Sequence, residues 1–317
     1  MKCPYRRHPL RRLPYVTHLA MPYVSLIEGI TMTGIIMTDT QHQNTSTQSL
    51  ANLQHVSYAL NNGVGELILN RAEVHNAFDE VMISEMIAVL GYFAEHKDCK
   101  LLVLKANGKN FSAGADLNWM RKQAKMDFEQ NLNDAKALAK LMQDLDTFPK
   151  PTIALVQGAA FGGALGLICA SDIAIATERA SFCLSEVKLG LIPAVISPYV
   201  ARAMGNRASR RYMLTAERFD AQTALKLNVI HEINDDLAAA AKPIITALLA
   251  NSPQGMAWVK TLLARLEDGV IDQDTIDYTS ERIARIRVSD EGQEGLNAFF
   301  EKRQPNWHTP TDTQGVL

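Results

Sequence analysis

A chain of 317 residues, 47% of them apolar, is long enough for one large domain or two modest ones with a sizeable core. Its 32 basic and 34 acidic residues leave a net charge of −2. That balance argues against a broad basic face built to neutralise nucleic-acid phosphates and leaves only a local basic patch open.

No apolar run approaches the roughly 20 residues that span a bilayer as a helix. The four cysteines (Cys3, Cys99, Cys169, Cys183) lack the short paired spacings of a zinc or redox motif, so free thiols in a reducing compartment are expected. Histidines are scattered, and neither a metal site nor a separate cofactor is expected.

Residues 1–50 read as a leader outside the fold. Residues 1–27 hold five Arg or Lys and no acid, and residues 38–50 are a polar Gln/Thr/Ser tract that can bury little. An arginine-rich, acid-poor start fits an organelle transit peptide, and a later translation start at Met32 or Met37 is the alternative. The expected location is cytoplasmic, or the mitochondrial matrix if the leader is a genuine transit peptide.

From Val56 the texture turns apolar. VGELILN (64–70) reads as a strand, and Asn76 reads as the cap of a helix carrying Phe78, Val81, Met82, Met86, Val89, Leu90 and Phe93. LLVLK (101–105) is a buried-strand candidate followed by a turn at Asn107-Gly108, which makes strand, helix, strand a crossover unit. After the loop FSAGAD (111–116), a helix is predicted over 128–145. Pro149 and Pro151 end it before a strand at 152–156. A glycine turn and a helix from about Ala164 follow, and then a second apolar strand, so 51–200 reads as a core of repeated β and α units. Residues 201–317 read as helical, with segments at 202–214, 221–227, 237–249 and 253–266, and with apolar surface for an oligomer or for the chain's own core.

The chemistry-bearing residues lie at the strand ends. Gly158, Gly162, Gly163 and Gly166 match no dinucleotide or phosphate-loop spacing. They allow either close packing of helix on strand or a close backbone approach to a ligand at a helix start. The loop Ser112-Ala113-Gly114-Ala115-Asp116 also follows a buried strand, so the two strand ends can each offer a backbone N–H to one oxygen. Ser112 as a nucleophile is set aside, because Asn110 stands where a Gly-x-Ser-x-Gly elbow needs its first glycine. Glu186, read within an apolar strand, is either an exposed residue paired with Lys188 or a buried acid/base. Asp116 and Asp172 read as turn or cap residues.

Together these stretches resemble the crotonase (enoyl-CoA hydratase/isomerase) superfamily over about residues 56–307. The resemblance rests on Asn70-Arg71 through Asn76-Ala77, FSAGAD, Gln157-Gly158 through Gly163, Ser171-Asp172-Ile173, Glu186 with Leu189-Gly190 and Pro193, and the tail FFEKR (299–303). It implies a spiral of β-β-α units, a helical trimerisation region, and a homotrimer or homohexamer. It also implies an oxyanion hole from the N–H groups of Ala115 and Gly163 for an acyl-CoA thioester. Ala113 would contact the adenine, Gly114, Gly162, Gly166 and Pro193 would line the substrate, and Phe299 and Lys302 would lie near a neighbouring subunit's CoA. Where many members carry a lysine before the Asn-Ala pair, this chain carries Glu73, which cannot make that phosphate contact. Common hydratases carry two glutamates; here the second is Glu186 and the first position is Gly166.

The wording of FSAGADLNWM, GAAFGGALGL and SEVKLGLIPAVISPYV looks most like methylglutaconyl-CoA and carboxygeranoyl-CoA hydratases of leucine and isoprenoid breakdown. The expected reaction is hydration of a branched 2-enoyl-CoA, with the space above Gly166 admitting the acyl branch and Glu186 moving the proton. The alternatives are a double-bond isomerase and a non-catalytic acyl-CoA-binding or RNA-binding protein.

Overall fold

The computed structural model describes residues 50–266 and 269–308. The leader expectation falls on residues almost wholly outside them. Residues 48–317 form one compact unit, within which both the 51–200 core and the helical region lie.

Strands β1 (Val56–Asn61) and β2 (Val64–Leu69) form an antiparallel hairpin. Its turn places Asn62 and Gly63 at positive φ, the backbone that a two-residue hairpin with right-handed strand twist requires. Helix α1 (Glu80–Glu95) returns the chain to β3 (Leu101–Ala106), parallel to β2. Helices α2 (Leu117–Gln123) and α3 (Phe128–Asp146) lead to β4 (Thr152–Val156), and β5 (Ala159–Phe161) and α4 (Gly163–Ala170) lead to β6 (Ile173–Ala176). After β7 (Ser181–Cys183) a 3-10 turn (Glu186–Leu189) leads to α5 (Ser197–Thr215), β8 (Phe219–Asp220), α6 (Ala221–Lys226) and β9 (Glu232–Ile233). The large sheet runs β1-β2-β3-β4-β6-β9 and a small one β5-β7-β8. Four helices close the chain: α7 (Leu237–Ala250), α8 (Pro253–Arg265), α9 (Gln273–Arg287) and α10 (Asp290–Phe300).

The central strands are buried on both faces, which is why they read as continuous apolar runs. Leu102, Leu104, Ala154 and Val156 face a core shared with α1, α3 and α4. The alternate residues Leu101, Val103, Ile153 and Leu155 face a second core under α7. The result is an α/β core of repeated strand and helix units followed by a helical region, as the resemblance implies. Among the described residues no helix is long and apolar enough to cross a membrane.

Two local readings change and a third is narrowed. Helix α1 is capped by Asp79, whose side chain accepts from the Met82 N–H, and not by Asn76. Asn76 is fully buried with φ +52; it donates to the carbonyls of Asn107 and Asn110 at 2.8 and 2.9 Å and accepts from the Arg71 N–H at 2.8 Å. Asp172 takes the turn alternative: at the bend before β6 it accepts from the Thr152 N–H at 2.8 Å and from Lys260 at 2.6 Å, pinning the start of β4 to α8. Glu186 does not continue a strand, because Ser185 (φ −92, ψ 0) turns the chain into the 3-10 segment.

Asn76→Ala would leave the Arg71 N–H and the Asn107 and Asn110 carbonyls without their side-chain partner, and a destabilisation of about 1–3 kcal/mol is expected, read as a lowered urea midpoint with an unchanged slope.

Candidate active site

The site is built where β3 and β4 end. Past β3, Phe111 N–H donates to the Gln157 carbonyl at 2.6 Å and Ser112 N–H to that of Ala159 at 3.0 Å. In return Phe161 N–H donates to the Ser112 carbonyl at 3.0 Å, so Ser112 stands opposite Ala160 in a parallel bridge. Three residues further along each segment lie Ala115 and Gly163.

Ala115 is flanked by two main-chain bonds to Phe78: Phe78 N–H donates to the Gly114 carbonyl and Asp116 N–H to the Phe78 carbonyl, both at 2.8 Å. The Phe78 ring also closes on Gly163, 3.5 Å from where a Cβ would sit. Gly163 opens α4, so its N–H has no partner within the helix. Among the described residues neither the Ala115 nor the Gly163 N–H has an acceptor. The result is two free donors of one sign at adjacent strand ends, one of them at a helix N-terminus.

The carboxylate arrives through the small sheet. Gly162 N–H donates to the Cys183 carbonyl at 2.9 Å, and three residues later the chain reaches Glu186. Glu186 Oε1 lies 3.2 Å from where a Cβ on Gly162 would stand, and Gly162 holds φ +54, a backbone that L side chains rarely adopt. Oε2 is buried without a hydrogen-bond partner. Burial pushes the Glu186 carboxyl above the ordinary glutamate range, with its own backbone N–H opposing. No Glu186–Lys188 ion pair occurs among the described residues; Glu186 is half-buried, with Oε2 its buried end.

The other expected residues divide. Ala113 and Gly114 lie on the Ala115 segment, where Ala113 N–H donates to His75 and Gly114 (φ +97) accepts from Phe78. Pro193 is buried on the segment after the 3-10 turn, its carbonyl accepting from Ser197. Phe299 and Lys302 lie at the end of α10, which packs on α8 and α9; Phe299 is 77% exposed. Gly166 offers no space: a Cβ there would meet Ile196 Cγ2 at 2.4 Å and Met142 Sδ at 2.8 Å. The expected opening for an acyl branch at Gly166 is therefore closed by Ile196. Ser112 is fully buried, its Oγ accepting from the Gly114 N–H.

Sequence reasoning passed over Phe78, Ile196 and Arg71 as contributors. Their roles depend on which groups they meet 30 or more positions away, as when Arg71 pairs with Asp116 45 residues on, and spacing carries no such signal.

Two amides without acceptors beside a half-buried carboxylate are groups suited to polarising a carbonyl and moving a proton next to it. The chain belongs to the enoyl-CoA hydratase/isomerase family, whose profile matches residues 59–310. It is 76% identical to the crystal structure of an enoyl-CoA hydratase from Shewanella pealeana, which covers 83% of this chain and 100% of that one with a TM-score of 0.81. It is 33% identical over 221 residues to enoyl-CoA hydratase ACTT6 of Alternaria alternata, covering 68% of this chain and 71% of that protein. It is 28% identical over 254 residues to a mitochondrial delta(3,5)-delta(2,4)-dienoyl-CoA isomerase of Dictyostelium discoideum, covering 76% of this chain and 86% of that one. The protein is thus an enzyme of the crotonase family.

Glu186→Gln should reduce kcat by about 10²–10⁴-fold, the usual contribution of a positioned acid/base. Because the folded carboxyl titrates above its unfolded value, its ionisation costs stability as pH rises through the folded pKa. The glutamine variant should therefore outlast the wild type in urea at neutral pH, and the difference should vanish below the ordinary glutamate pKa.

Proposed function

We propose that the protein adds water to a 2-enoyl-CoA thioester, with Ala115 and Gly163 as the oxyanion donors and Glu186 as the single acid/base. The observation that carries this reading is the unpartnered Glu186 carboxylate beside the Gly162–Gly163 peptide. The thioester oxygen accepts both N–H groups, which lowers the energy of the enolate by placing fixed donors where the charge develops. Glu186 takes a proton from water as the water oxygen bonds to C3. The C2–C3 π electrons move to form the enolate, and the same carboxyl returns the proton to C2. The sum is one water added across one double bond.

The acyl group we propose is branched and carboxylated, of the methylglutaconyl-CoA type, on the likeness of the FSAGADLNWM and SEVKLGLIPAVISPYV segments to those hydratases. Its room is not at Gly166. Crotonyl-CoA and methylglutaconyl-CoA should then differ at least about tenfold in kcat/KM, a gap of about 1.4 kcal/mol; equal turnover removes the branched reading and leaves the hydratase.

A second reading, double-bond isomerisation, is favoured by the closure at Gly166. No second carboxylate can stand there, and one carboxyl suffices to carry a proton between carbons. Turnover in heavy-oxygen water separates the two, since only hydration places the label in a product hydroxyl.

A homotrimer or homohexamer is proposed from the apolar side chains that α9, α10 and their flanks leave in solvent, with Ile271 84%, Val288 77% and Phe300 71% exposed. Sedimentation at micromolar protein should give three or six chain masses, and a monomer would sink the idea.

A further inference from the structure

We propose that Arg71 is the positioning residue that sets the direction of the Ala115 N–H. The inference rests on reading that N–H as a carbonyl-polarising donor.

Ala115 sits in a short loop, and its own N–H must stay unpaired to serve. The segment is therefore held only by its neighbours. Gly114 and Asp116 each make one main-chain hydrogen bond to Phe78, at 2.8 Å. Whatever fixes Phe78 relative to Asp116 fixes the peptide between them.

Arg71 grips both sides of that junction. Its Nη1 donates to the Ala77 carbonyl at 2.7 Å and lies 3.0 Å from Asp79 Oδ2, so the residues before and after Phe78 are both held. Its Nη2 donates to Asp116 Oδ2 at 3.2 Å. The other Asp116 oxygen caps α2 by accepting from Asn118 and Trp119 at 2.8 and 3.2 Å. One planar fork thus ties the Phe78 segment, the Ala115 loop and the start of α2 together. The three side chains are 12–14% exposed, so solvent competes little. Arg71 is itself anchored, its N–H donating to Asn76 Oδ1 at 2.8 Å.

A lysine carries the same charge without the fork and cannot reach three acceptors at fixed angles. The charge balance against Asp79 and Asp116 would survive Arg71→Lys while the geometry would not. Asp79→Asn provides an independent route: the amide oxygen can still cap α1 at Met82, while its NH₂ would face Nη1 and displace it.

The test uses the full-length protein, a chromophoric cinnamoyl-CoA thioester and steady-state turnover of a 2-enoyl-CoA. Wild type should red-shift the bound chromophore by polarising its carbonyl. In Arg71→Lys and Asp79→Asn the shift should shrink, with kcat down about 10–100-fold, as expected for an angstrom-scale misplacement, and KM within about threefold. Either variant folding with wild-type shift and kcat overturns the role of Arg71. A wild type that turns over without any shift overturns the donor reading itself, and the role of Arg71 with it; the two failures are distinguishable. If Arg71→Lys does not fold, Asp79→Asn decides.

Discussion

The site depends on the parallel zipping of two loops past the ends of β3 and β4. Three main-chain bonds, Phe111 to Gln157, Ser112 to Ala159 and Phe161 to Ser112, lock the register in which Ser112 faces Ala160. In that register the next free amides are Ala115 and Gly163, and among the described residues nothing accepts from either. A slip of one residue would send a carbonyl where a donor now points. The pair therefore exists because the loops borrow strand-like pairing without continuing it.

Such a site costs stability. A buried carboxylate oxygen without a partner is unfavourable. The offset lies behind it, where β3 and β4 are buried on both faces by two separate cores. Asp116 shows the same division of labour. Burial would raise its carboxyl, yet the backbone N–H groups of Trp119 and Asn118 and the Arg71 guanidinium hold it below the usual aspartate range. It is a charged structural peg next to Ala115, while at Glu186 burial outweighs the one opposing backbone N–H.

What could be read from the sequence follows from which signals are local. LLVLK and TIALV were legible as strands because burial on both faces demands continuous apolar runs. The register between FSAGAD and the glycine turn was only implied, through the likeness to crotonases. Glu186 was misplaced in a strand because Phe182-Cys183-Leu184 continues the apolar pattern, while the turn at Ser185 is a backbone choice that leaves no hydrophobic trace. Asn76 was misread because an asparagine ahead of a periodic helix looks like a cap, although Asp79 lies three residues nearer. Helices α9 and α10, within the stretch read as helical, were left without bounds because much of their apolar surface points to solvent, which weakens the contrast with loops. Gly166 taught the opposite lesson: a missing side chain is not a cavity, since Ile196, 30 positions on, had already taken the volume.

That packing bears on the chemistry of Glu186. Where two carboxylates share a site, each shifts the other by repulsion, and the pair titrates as a unit. With Ile196 and Met142 pressed onto Gly166, no second carboxylate can stand there, and the upward shift of Glu186 arises from desolvation alone. A shift of that origin grows when remaining water is expelled, as it would be by a bound acyl thioester. In the hydration proposed, substrate binding would make Glu186 a stronger base toward a nearby water, and its position beside the enolate carbon would direct the proton's return. A single carboxyl in a drying pocket can serve in turn as base and acid.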